Sequence, residues 1–219
     1  MALVLITPPA AEPLTPAEVR TRLGLSVSDA SDAVLTPLIT AARQEIDGID
    51  GWLGRALITQ TVEMSLDRFE GRIIIVPLPP LQSVVINYDD RDAVEQTLAP
   101  SAFRVLAGDP GRIEVVDSWP STKARSDAVR IRFVAGYGES GASVPEPIRQ
   151  ALAEKVSLAR MSSRPNPSLR SDTVDGVGSQ TWSTGSDFAD ALRSSIDGRL
   201  EPFRIWTAQA SCVTPFSHV

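Results

Sequence analysis

Hydrophobic residues recur every three or four positions in three parts of the chain, which predicts amphipathic helices. One helix is expected between residues 29 and 53, a second from residue 148 to about 160, and a third over residues 186–196, where Gly198 would end it. The stripes that these helices would bury are Leu35, Leu38, Ile39, Ala42, Ile46, Ile49 and Leu53 in the first, Ile148, Leu152, Val156 and Ala159 in the second, and Phe188, Leu192 and Ile196 in the third.

A shorter helix is predicted near the N-terminus. Thr15 offers a capping hydroxyl, Pro16 suits the first helical position, and Glu18 is placed to complete a capping box. Gly24 would end this helix. The prolines of residues 1–14 predict an extended arm in front of it.

Between residues 55 and 137 the hydrophobic period changes to two, which is typical of half-buried strands. The alternation is clearest over residues 58–66 and 129–133. Shorter runs lie between them, separated by turns rich in proline, glycine and aspartate, at residues 72–76, 83–88, 103–106 and 112–116. This spacing predicts an antiparallel β unit of about six short strands.

These elements predict an α+β protein. Residues 15–54 and 145–198 would form a helical core, and residues 55–137 an antiparallel β insertion between its parts. Residues 162–178 are rich in serine, proline and glycine and are expected to be a flexible linker. An extended tail over residues 199–219 would follow the last helix.

Composition narrows the possible functions. The chain has 219 residues and a formal net charge of −6, which is not typical of proteins that coat nucleic acid. Cys212 is the only cysteine and His218 the only histidine, so an intramolecular disulfide and a multi-cysteine metal site are excluded. The apolar run at residues 2–6 is too short for a signal peptide or a membrane span, so we expect an intracellular protein.

One glycine motif could indicate a dinucleotide site. Residues 136–141 match the pattern G-x-G-x-x-G after a predicted strand. In such sites the helix begins inside the motif, whereas here it begins only beyond Pro145 and Pro147. A strand-to-helix turn is therefore the better interpretation.

Other candidate sites have equally ordinary interpretations. Asp89, Asp90 and Asp92 lack the spacing of a calcium loop and suit a hairpin turn. Ser140 lacks the pattern of a nucleophile elbow, and Cys212 has no histidine or lysine beside it. We expect no enzymatic activity, cofactor or metal.

The C-terminal tail is unusually apolar for a segment beyond the last helix. Phe203, Ile205, Trp206 and Phe216 lie in it. Such residues either pack on the protein's own core or dock on a partner, because an exposed apolar patch favours association. The sequence alone leaves both alternatives open.

Several motifs in order resemble one family. They read GRALITQT at residues 54–61, PLPPLQSV at 77–84, FVAGYG at 133–138 and VPEPIRQA at 144–151. Together they resemble the head–tail connector (adaptor) proteins of tailed bacteriophages, prophages and gene transfer agents, in the subfamily with a β insertion. The resemblance covers residues 13–160.

The resemblance implies a structural protein of the virion neck, assembled in the host cytoplasm. Such adaptors form a dodecameric ring beneath the portal, continue the DNA channel without binding DNA specifically, and join the portal to stopper or tail-terminator proteins. It makes candidate portal-docking residues of Phe203, Arg204, Ile205, Trp206 and Phe216. It makes candidate ring-core residues of Leu35, Leu38, Ile39, Ile46, Ile148, Leu152 and Val156.

An alternative function belongs to a different class. The chain could be a monomeric ligand- or carbohydrate-binding β module flanked by helices, with Trp182 and Trp206 as stacking surfaces. That hypothesis predicts a stability shift on binding a small molecule. The tryptophans are spread over several predicted elements rather than one β face, which argues against it.

Overall fold

The computed structural model describes residues 1–162, 171–174, 178–181 and 185–205, with side chains at 1–161 and 189–205. The helices are α1 (Pro16–Leu23), α2 (Asp32–Ile46), α3 (Glu146–Ser162) and α4 (Gly185–Leu200). The strands are β1 (Ala2–Thr7), β2 (Gln60–Leu66), β3 (Ile73–Val76), β4 (Leu81–Asp89), β5 (Glu95–Thr97), β6 (Phe103–Leu106), β7 (Gly111–Val115), β8 (Val129–Ala135), β9 (Ser171–Val174) and β10 (Gly178–Thr181). The predicted α+β class is confirmed. None of the described helices is long and apolar enough to span a membrane.

The start of α1 has the predicted capping box. The Thr15 amide donates to Glu18 Oε2 at 2.8 Å, and the Glu18 amide donates to Thr15 Oγ1 at 3.2 Å. Gly24 ends the helix with φ of 63°, in the left-handed region that glycine adopts without strain.

The helices enclose one apolar core, with α3 packed against α1, α2 and α4. Val19 from α1, Ile39 from α2 and Leu152 from α3 are at most 2% exposed in it. Ile196 and Leu200 close the core from α4.

Two predicted helix ends are wrong, and in both cases a tertiary contact sets the end of the helix. The chain leaves α2 at Ile46 rather than near residue 53, because the Asp47 backbone is extended and its carboxylate binds the Leu57 amide. Leu53 still reaches the core, from a loop. In α4 the helix continues through Gly198 to Leu200, since the burial of Leu200 outweighs the cost of about 1 kcal/mol for a helical glycine.

Residues 55–137 form two antiparallel sheets. The large sheet has the order β1-β2-β8-β4-β5, and the small sheet has the order β3-β7-β6. Their inner faces share a core that includes Met64, Ile113 and Phe133. Seven strands lie in this segment instead of about six, because β5 consists of three polar residues and has no hydrophobic alternation.

The arm and the linker also contain strands. The first residues form β1, which pairs with β2 from Ala2↔Ser65 to Thr7↔Thr61 at the edge of the large sheet. β9 lies within the segment expected to be a flexible linker and pairs with β10, which begins at the last residue of that segment, Gly178. Residues 163–170 and 175–177 lie outside the described residues.

The glycine motif is a tight strand-to-helix turn, as predicted. Gly136 has φ of 131°, and a Cβ there would lie 2.6 Å from the carbonyl carbon of Ile58. A Cβ at Gly141 would lie 2.4 Å from the Pro13 carbonyl oxygen. Because α3 begins only at Glu146, no helix N-terminus lies within the motif to bind a pyrophosphate.

Replacing Gly136 with alanine should lower the free energy of unfolding by about 2–4 kcal/mol, from backbone strain and the clash with Ile58. Gly198→Ala is the matched control, since a Cβ there meets no atom within 4 Å. It should raise the free energy of unfolding by about 0.5–1 kcal/mol by favouring the helix. Urea denaturation of both variants measures this, and equal effects would contradict the packed turn.

Candidate functional site

The C-terminal segment lies against the loop that follows α2. We call residues 201–205 the tail root, because the apolar tail, residues 206–219, continues from it. The tail root begins with a 3-10 turn, Glu201–Phe203, directly after α4. The Ile205 amide then donates to the Leu53 carbonyl oxygen at 2.9 Å.

A buried carboxylate holds the loop on which the tail root packs. Asp47, with its side chain 2% exposed, accepts hydrogen bonds from the Leu57 amide at 2.8 Å, Arg43 Nη1 at 3.1 Å and Gln60 Nε2 at 3.3 Å. Burial raises the pKa of Asp47, and these three donors oppose that rise. The loop is tightly packed, since a Cβ at Gly51 would lie 2.5 Å from the Asp47 backbone.

Arg55 connects the tail root to the rest of the molecule. Its Nε donates to the Phe203 carbonyl oxygen, and its Nη1 and Nη2 donate to the two carboxylate oxygens of Asp109, at 3.1 Å for Nη1. The Arg55 side chain is only 6% exposed. Asp109 lies in the turn between β6 and β7, so one guanidinium joins the α2 loop, the tail root and the small sheet.

Aromatic side chains complete the packing of the tail root. The Arg204 guanidinium lies over the Trp52 ring, 4.4 Å from its centroid, in a cation–π contact. Phe203, Trp52 and Tyr137 are half-buried against the helical core. The pKa of Tyr137 is raised, because the effect of burial exceeds the opposing effect of the nearby Arg55.

Three of the candidate docking residues are therefore brought together. Phe203, Arg204 and Ile205 pack on the protein's own body, the first of the two alternatives left open above. Trp206 and Phe216 lie outside the described residues. Contact of this segment with a portal stays a prediction.

The candidate ring-core residues lie inside the chain's own helical core. Leu38 is half-buried. The other six are at most 2% exposed: Leu35, Ile39, Ile46, Ile148, Leu152 and Val156. They shape the helical body, and their role in a ring stays a prediction.

A network of four charged side chains ties α1 to α3. Arg149 pairs with Glu18 and, at 3.1 Å, with Glu146, while Arg22 pairs with Glu146 from the other side. The pKa of Glu18 is lowered, first by its bond from the Thr15 amide and further by Arg149. The hydrogen bond from Arg22 is the main cause of the lowered pKa of Glu146.

Asp90 and Asp92 lie in a hairpin turn between β4 and β5, as predicted, whereas Asp89 is the last residue of β4 and is only 4% exposed. Asp90 Oδ1 accepts from the amides of Asp92 and Val94, both at 3.0 Å. Asp89 points the other way and is ion-paired to Arg130 at 2.9 Å, which lowers its pKa. Among the described residues no group of three or more histidine, cysteine, aspartate or glutamate side chains is placed to hold a metal ion.

Sequence reasoning missed Arg55, Asp109 and Asp47. Arg55 stands in the first family-like motif, and Asp109 precedes a proline in a turn, but 54 positions separate them. Nothing local pairs them. The only sequence signal that could have drawn attention to Asp47 was weak: it is an acidic residue within a predicted helix.

Comparison with known proteins gives structural matches only. No family model and no curated protein sequence matches the chain. Three solved chains match over 96% of this chain and 98% of their own length: one in "Neck of empty GTA particle computed with C6 symmetry" (22% identity, TM-score 0.69), one in "Virion of native gene transfer agent (GTA) particle" (24%, 0.67) and one in "Neck of native GTA particle computed with C12 symmetry" (20%, 0.63). At these identities the matches establish a shared fold.

Arg55→Ala should loosen the tail root, because the Phe203 carbonyl and Asp109 both lose their donor. We expect the free energy of unfolding to fall by about 1–3 kcal/mol, and the Ile205 amide to exchange its hydrogen at least about tenfold faster. Arg68→Ala is the control, since its ion pair with Glu70 is exposed and should contribute less than about 1 kcal/mol. Unchanged exchange at Ile205 would contradict the role given to Arg55.

The network between α1 and α3 predicts a pH dependence. A carboxylate whose folded pKa lies below its unfolded value stabilises the fold fully above the unfolded pKa, and this stabilisation is lost as pH falls through the folded pKa. Glu146→Gln should therefore destabilise the protein above about pH 4.5, by no more than about 1 kcal/mol because Glu146 is largely exposed. The difference from the wild type should shrink below that pH and in 1 M salt. Denaturation curves at several pH values test this, and a difference that grows in acid would refute it.

Proposed function

We propose that this chain is a structural connector of the particle neck in a tailed bacteriophage or a gene transfer agent. In this proposal it forms a ring beneath the portal, continues the DNA channel, and joins the portal to a stopper or tail-terminator protein. The observation that carries it is the match in fold, over nearly the full length of both chains, to chains in gene transfer agent necks. The four family-like motifs between residues 54 and 151 support it independently.

The tail root suits a docking role for the segment beyond it. Arg55, Trp52 and the Leu53 carbonyl fix the backbone through Ile205, which fixes the point from which residues 206–219 continue. Residues 206–219 would span roughly 46–50 Å if fully extended. They contain no aspartate, glutamate, lysine or arginine, which suits an apolar groove on a partner.

The charge of the chain is compatible with a channel through which DNA passes. A net charge of −6 offers little of the phosphate neutralisation on which tight, non-specific DNA binding depends. In the proposed ring, DNA would therefore move without specific binding. In this proposal the protein acts by assembling into a ring and contacting its partners, not by catalysing a reaction.

The test is the mass of the complex with the neighbouring portal protein, measured by light scattering after size exclusion. We expect the full chain to form a ring-sized complex with the portal, and a variant lacking residues 206–219 to lose at least about tenfold in affinity. Trp206→Ala with Phe216→Ala should reproduce most of that loss. Thr207→Ala with Gln209→Ala is the matched control in the same segment and should bind normally.

The outcomes separate the parts of the proposal. A full chain that stays monomeric with and without the portal would overturn the connector function. A tail deletion that binds as tightly as the full chain would leave the ring but refute the docking tail.

A further inference from the structure

The small sheet has an unprotected edge at β3. This strand reads Ile73-Ile74-Ile75-Val76 without a polar residue, and Ile73 and Ile75 are 47% and 59% exposed. An outermost strand offers unpaired backbone N–H and C=O groups, and charged or short edges normally protect it from association. β3 is short, at four residues, but carries no charged side chain.

A groove of about 420 Å³ runs beside this edge. Its wall is apolar, formed by β3 together with Met1, Met64 and Leu66, and its rim carries Asp67 and the ion pair of Arg68 with Glu70. The surface therefore combines free backbone groups with apolar side chains. An incoming strand with exposed apolar side chains would match both.

The opposite edge of the same sheet has that composition. In β6, Val105 and Leu106 are 42% and 40% exposed, and Arg104 is exposed as well. Arg104 makes no ion pair with any residue that the structure describes. The two edges match in length at four residues each, and β3 and β6 run parallel because both are antiparallel to β7.

The free edge of the large sheet at β5 is a useful contrast. It has three polar residues, and Glu95 is paired to Arg130 at 3.0 Å. Such a short, charged edge resists strand addition. The exposed apolar edges of the small sheet are thus not a general property of this surface.

We propose that β6 of one copy adds to β3 of the next copy, so that the small sheet continues from protomer to protomer. The occupant is a second copy because this chain itself supplies the matching edge, an apolar strand of equal length. Two different patches in contact make a heterologous interface, the kind that closes into a ring. The inference rests on the self-assembly in the proposed function and assigns a surface to it.

Cysteine cross-linking tests this arrangement directly. Ile75 and Leu106 flank Arg112 on the outer face of the sheet. They lie two strands apart in one copy, about 9–10 Å, which is too far for a disulfide within the chain. In a Cys212→Ser background, Ile75→Cys with Leu106→Cys should give a ladder of dimers, trimers and larger species on oxidation of the assembled protein.

Single-cysteine variants are the controls. Ile75→Cys alone and Leu106→Cys alone should stay monomeric on a non-reducing gel. Dimers from one single variant would indicate that like edges pair, and would overturn the proposal. So would the absence of a ladder from an assembled double variant.

A second measurement uses charge. Ile75→Arg should reduce the ring-sized species at least about tenfold. Val85→Arg is the matched control, because the site on β4 is similarly exposed and the new arginine faces Arg132 as the one at residue 75 faces Arg112. It should lower the unfolding temperature about as much as Ile75→Arg and should assemble normally. If the wild type and Ile75→Arg both assemble, the assignment of the β3 edge is wrong but the proposed function stands. If the wild type does not assemble with the portal, the proposed function itself is wrong.

Discussion

Apolar side chains from one continuous segment, residues 129–156, belong to the cores of both halves of the molecule and hold these halves together. β8 is the middle strand of the large sheet, paired with β2 on one side and β4 on the other. After the Gly136 turn the same segment becomes α3, which the other three helices contact. Because one continuous stretch completes both cores, the β insertion cannot separate from the helical core without exposing both.

The tail root depends on that arrangement. The Gly136 turn places Tyr137 beside Arg55, and the amide of Tyr137 donates to the Leu57 carbonyl oxygen at 3.1 Å. Arg55 in turn holds the Phe203 carbonyl and the Asp109 carboxylate. A buried guanidinium is costly to leave unpaired, so its two partners must stay in place together. The contacts of Arg55 and Leu53 thus fix the backbone of the tail root through Ile205.

The surface divides into protected and unprotected parts. Arg130 and Arg132 on β8 are each ion-paired to a carboxylate on a neighbouring strand. The β3 edge has no such partners, and its apolar side chains face solvent. For a protein proposed to act through assembly, apolar edges rather than basic residues are the features that suit contact with other chains.

Local patterns in the sequence were sufficient for the elements and their caps. The 3.6-residue period located the helices, the two-residue period located most strands, and Thr15, Glu18 and Gly24 marked a helix correctly, because these signals act between residues close in the chain. The motifs at residues 54–151 also pointed to a connector fold. The hydrophobic period does not show which distant segment of the chain covers each apolar face.

Only the tertiary structure decided the rest. Asp47 ends α2 because its carboxylate binds an amide ten residues away, and Leu200 extends α4 past Gly198 because the core is there to bury it. The pairing of β1 with β2 and of Arg55 with Asp109 likewise depends on partners more than 50 positions apart. These contacts join residues distant in the chain, and burial and paired charge contribute more than the local preference of about 1 kcal/mol that Gly198 opposes to the helix.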